Sequence, residues 1–119
     1  MTRKAVSQKL PTVAPDRALR ALTRQLDGLQ KLKNRNYQEV EAEETEWTHL
    51  TESIIEAACG DPSTSLDRFY MATHAGVRIT GRTSPQEHQN QFESRMREYD
   101  ALLRSLISVF PAAASGRRN

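Results

Sequence analysis

The sequence predicts an all-α fold in which one long, one short and one medium helix form an antiparallel helical hairpin, a coiled-coil-like bundle with a protruding N-terminal helical segment. Three observations predict it. Residues 16–58 contain no proline and place apolar or tolerated residues at alternating spacings of three and four. Ser84-Pro85-Gln86-Glu87 joins a hydroxyl, a proline at the first helical position and a glutamate after it, the signature of a helix start. The only alternating stretch, Val77 to Thr83, is too short to build a sheet.

Residues 1–14 mix Arg3, Lys4, Lys9 and Pro11 with small residues in no period, the composition of a flexible basic arm. Asp16 then favours a helix start beside the positive end of the macrodipole. From here the positions 19, 22, 26, 29, 33, 36, 40, 43, 47, 50, 54 and 57 hold one heptad phase, filled by Leu19, Leu22, Leu26, Leu29, Val40, Trp47, Leu50, Ile54 and Ala57. A phase kept across Asn34-Arg35-Asn36 argues for a single helix over 16–58. Its weak points are Gly28 and the polar occupants Lys33, Asn36 and Glu43, so a break near 33–36 is the competing reading. Gly60 and Asp61-Pro62 end the helix. Thr64 and Asp67 have capping-box spacing and open a short helix over 65–75 with Leu66, Phe69 and Tyr70 on one face. The last helix, 85–110, carries Phe92, Met96, Tyr99, Leu103, Leu106 and Phe110 and stops at Pro111, leaving 111–119 as a flexible tail. Residues 15–110 thus form one helical domain.

The length mismatch carries the functional expectation. At ~1.5 Å per residue the first helix spans roughly 64 Å and the last roughly 39 Å, so a hairpin leaves Leu19, Leu22, Leu26, Leu29 and Leu32 without intramolecular cover. Each buried leucine is worth ~1.5–3 kcal/mol, and several left in water make an adhesive surface. The expected function is therefore a non-catalytic protein–protein interaction module, an adaptor, regulator or assembly subunit, and the expected partner is a second copy or a heterologous protein helix. If the chain instead bends back at Asn34, the same leucines become ordinary core.

Charge supports self-association. Residues 1–36 hold nine Lys/Arg against two acids, and residues 37–61 hold eight acids and no Lys/Arg. Two long helices laid antiparallel would set Arg20 and Arg24 against Glu44 and Glu46. The net charge of +2 provides no global attraction for nucleic acid, yet Arg17, Arg20 and Arg24, with Arg78 and Arg82 in the loop before the last helix, offer phosphate contacts. A small subunit of a nucleoprotein complex is thus the alternative function, opposed by the uncompensated acidic block.

Catalytic, cofactor and metal sites are not expected. Glu46-x-x-His49 occurs once, where di-metal bundles use it in pairs. The single cysteine, Cys59, lies at a helix C-terminus that opposes thiolate formation, and no phosphate-binding glycine loop is present. No run approaches the roughly 18 apolar residues of a membrane span. With no secretory h-region, the reading is a soluble, cytoplasmic protein.

Replacing Leu22 and Leu26 by Asp should, on the protruding-stripe reading, abolish association while sparing helicity. Ser84→Ala should destabilise the chain by about 0.5–2 kcal/mol, measured as a lower denaturant midpoint; an unchanged midpoint would place the helix start elsewhere.

Overall fold

The chain turns back on itself at residues 33–40, where the heptad phase predicts helix. The computed structural model describes residues 10–74 and 84–118, the last eight of these by backbone alone. It contains four helices, α1 (Pro15–Leu32), α2 (Glu41–Cys59), α3 (Thr64–Thr73) and α4 (Pro85–Arg118). The expected helix over 16–58 is corrected to α1 and α2. Asn36 accepts a hydrogen bond from the Gln38 amide through Oδ1 at 2.8 Å, an Asx turn that competes with continued helix. The amide side chain of Gln89, on α4, accepts from the Tyr37 N–H at 2.9 Å and donates to the Arg35 carbonyl at 3.2 Å. It satisfies two backbone groups that the broken helix leaves open. Val40, fully buried, anchors the far side of the turn.

The remaining boundaries follow local chemistry. Pro15 opens α1 with Asp16 in the first turn, and Glu41, Glu43 and Glu44 crowd the positive end of α2. Gly60 terminates α2 at φ 91, a conformation that a Cβ disfavours. The cap of α3 lies one residue before the expected Thr64: Ser63 Oγ accepts from the Leu66 amide at 3.1 Å. At α4, Glu87 N–H donates to Ser84 Oγ at 3.1 Å while the Ser84 N–H donates to Glu87 Oε1 at 2.8 Å. That second bond holds the Glu87 carboxyl below its ordinary range. α4 continues through Pro111, the expected stop, to Arg118. Proline removes one helical hydrogen bond, and Ala112-Ala113-Ala114, the best helix-forming residue type, follows it.

α1 packs on α2 and α4, and α3 packs on the same two helices, so α1–α3 and α2–α4 are the diagonals of a four-helix bundle. Gln25 meets Thr51 and Arg35 meets Glu43, so α2 runs back along α1; Gln30 reaches Asp100 and Arg35 reaches Gln89, so α4 does likewise. This arrangement corrects the stripe. Leu22, Leu29 and Leu32 are buried in the shared core, and Leu19 and Leu26 are half-buried. The length mismatch is reversed: α1 has 18 residues and α4 has 34, roughly 27 Å against 51 Å by helical rise, so the last helix and not the first is the longer.

The turn also shifts the phase. In α2 the buried positions are Trp47, Thr51, Ile55 and Ala58, not the 47, 50, 54 and 57 of the continuous heptad. Leu50 therefore points outward and is 54% exposed, while Ile55 is fully buried.

Leu22→Asp is consequently expected to unfold the bundle, since it sets a charge at a position with 0% exposure and would cost upward of ~4 kcal/mol. Far-ultraviolet circular dichroism checks this; retained helicity with lost association would restore the protruding stripe.

Candidate functional site

Between α1 and α2 an open groove of about 520 Å³ is lined by Gln25, Gly28, Lys31, Leu32, Glu43, Glu46, Trp47 and Leu50. Its floor is rigid. Trp47 Nε1 donates to the Gln25 carbonyl at 2.9 Å, and the buried Gln25 side chain donates to Thr51 Oγ1 at 2.7 Å. At Gly28 a Cβ would make ordinary contact with Trp47 Cδ1 at 3.5 Å, so the glycine leaves that part of the indole uncovered. One lip carries Lys31, with Arg24 two turns earlier on the same side of α1; the other carries Glu43, Glu46 and Leu50, at spacings of three and four on one stripe of α2. Glu43 has only an exposed contact to Arg35 at 3.5 Å, and Lys31, Arg24 and Glu46 have no ion pair among the described residues.

Other charged groups serve the fold. Arg95 on α4 binds Glu44 on α2 through Nε at 2.7 Å and Nη2 at 3.0 Å, a mostly buried fork across the bundle diagonal. Burial works against the Arg95 charge, but the Glu44 bond and field outweigh it and raise the pKa. Glu44 is thus engaged internally, which corrects its expected place opposite Arg24 of another copy. Asp100 accepts from Gln30 and Lys33, each at 3.0 Å, and from Arg104. Desolvation raises its pKa, and these three donors overcome it and bring the carboxyl down to about 2.

The remaining phenol, imidazole and thiol groups are placed as follows. Tyr99 is pushed up to about 12, chiefly by burial and against the pull of Thr48, and Tyr70 to about 12, chiefly by its 2.7 Å bond to Glu52. Both phenols are neutral at physiological pH. His49 is exposed, His74 is held at the end of α3 by Thr73 and the Tyr70 carbonyl, and His88 stacks on Tyr37 at 5.4 Å. Among the described residues no three His, Cys, Asp or Glu side chains gather as metal ligands. Cys59 is a half-buried free thiol.

Of the expected nucleic-acid contacts, Arg17, Arg20 and Arg24 lie exposed along α1, Arg20 at 3.9 Å from Asp16, while Arg78 and Arg82 lie outside the described residues. The acidic lip of α2 stands level with Lys31, toward the other end of α1 from this row. No described helix is long and apolar enough to cross a membrane.

The groove residues Gly28 and Leu50 take roles the periodicity conceals, Gly28 as an opening and not a weakness, Leu50 as a lip and not a seam. Compared with known proteins, the chain matches no family model, no curated protein and no solved structure.

The Asp100 network makes a pH test. Because its folded pKa is depressed, its stabilising contribution is complete well above the ordinary carboxylate range and is lost as pH falls toward about 2. Asp100→Asn should therefore lower the denaturant midpoint at pH 6, with the deficit shrinking as pH falls to about 2 and most of it gone there. An equal deficit at both pH values would mean that the charge of Asp100 plays no part.

Proposed function

We propose that this chain is a non-catalytic helical protein–protein interaction module, an adaptor, regulator or assembly subunit, which binds through the groove between α1 and α2. The observation that carries the reading is Leu50, 54% exposed on the lip of the groove above the opening that Gly28 leaves over Trp47. An apolar residue beside a concave, partly apolar floor, with charged residues along both lips, is the anatomy of a small interface: apolar centre, polar rim. Leu22 and Leu29 of α1 are core, so they work by holding the groove in shape and not by touching the partner. A reduced Cys59 thiol suits a cytoplasmic setting.

A nucleoprotein subunit is the second reading, and the exposed row of Arg17, Arg20 and Arg24 favours it. Micromolar binding to generic nucleic acid that collapses with added salt would support that reading.

The groove reading is tested by a photoreactive residue at position 50 in cells, with Arg97 on the outer side of α4 as the control site. A discrete protein adduct from position 50 alone is expected; equal labelling from both sites, or none from position 50, contradicts the reading. Leu50→Asp should leave the folding free energy within ~0.5 kcal/mol of the parent, as exposed substitutions do, while weakening the recovered interaction at least about tenfold.

A further inference from the structure

We propose that the groove is filled by a second copy of this chain, related by a two-fold axis that runs along the groove, parallel to α1 and α2. The proposal rests on the groove reading above and names the groove's occupant.

The two helices lie side by side and run in opposite directions, with Gln25 level with Thr51, Gly28 level with Trp47 at 3.5 Å, and Arg35 level with Glu43. Lys31 is therefore level with Glu43 and Glu46. Two isologous ways exist to lay this face on itself. An axis across the groove stacks α1 on α1 and α2 on α2, which sets cations against cations and acids against acids. An axis along the groove stacks α1 on the second copy's α2 without changing height, so Lys31 meets the second copy's Glu43 and Glu46, and the pairing forms twice. The charge pattern is self-complementary in the second arrangement alone.

The apolar surface follows the same symmetry. Leu50 stands level with the stretch from Gln25 to Gly28, so the axis along the groove brings it over the second copy's α1 where the missing Cβ leaves space above Trp47. Each copy contributes one leucine and receives one. A face two helices wide and roughly 27 Å long falls somewhat short of the ~800 Å² per partner of a standard interface. Association should accordingly be modest, with a Kd on the order of 1–100 µM.

The arrangement makes a demand that few others share. Lys31→Glu alone places acid against acid at both contacts, and Glu43→Lys with Glu46→Lys places base against base, so each variant should self-associate at least tenfold more weakly than the parent. Mixed in equal amounts, the two variants restore both contacts and should form a heterodimer within a few-fold of the parent Kd. Sedimentation equilibrium on the full chain reads this directly, with thermal midpoints and helicity confirming that each variant is folded. The restored dimer should also weaken as salt rises. The proposal is overturned if the mixture associates no better than its components, or if the parent is monomeric throughout that concentration range. A monomeric parent whose position 50 still cross-links to a different protein would overturn the second copy and leave the groove reading standing; loss of both would end both.

Discussion

The Trp47 indole touches each of the other three helices. From α2 it donates to the Gln25 carbonyl of α1 at 2.9 Å, lies 6.3 Å from the Phe69 ring of α3 and 4.9 Å from the Tyr99 ring of α4, and Phe69 and Tyr99 stack at 5.4 Å. Aromatic pairs at such separations add to the large apolar area that each ring buries. The diagonal helices α2 and α4 are held together by side chains reaching across, with Trp47–Tyr99 inside and Glu44–Arg95 beside it. The indole N–H also ties the buried ring to the α1 backbone at the floor of the groove.

That junction exists because the chain reverses between Leu32 and Glu41. With a continuous helix, Trp47 would lie some 33 Å along the axis from Gln25 and could not donate to its carbonyl. The reversal is held from both sides, by the Asx turn of Asn36 within it and by the Gln89 amide from α4. Three leucines of α1 then enter the core with no demand on an outside partner, and the apolar surface left exposed is smaller than a bare stripe.

The helical class, the capping box at Ser84 and the end at Gly60 were legible because each is written in adjacent residues. The path of the chain was not. Asn34-Arg35-Asn36 fits a turn or an interrupted helix, and the three-four alternation continues through it by coincidence of spacing. What decides between them is Gln89, 52 residues beyond Tyr37, whose side chain satisfies the turn. The groove was hidden for the same reason: a one-residue slip of phase across the turn moves Leu50 outward and Ile55 inward, and no local pattern records it. Glu43 and Glu46 were legible as an exposed acidic face, but not as one lip of a cleft whose other lip is basic.

The bundle depends on the reversal, and the distance between α1 and α2 measures it most directly. Spin labels at Thr23→Cys and Ser53→Cys, in a Cys59→Ser background diluted with unlabelled chain, report that distance by pulsed electron resonance. Adjacent helices predict a separation under about 25 Å. A continuous helix over 16–58 would place the labels about 45 Å apart, and that separation would rule out the reversal.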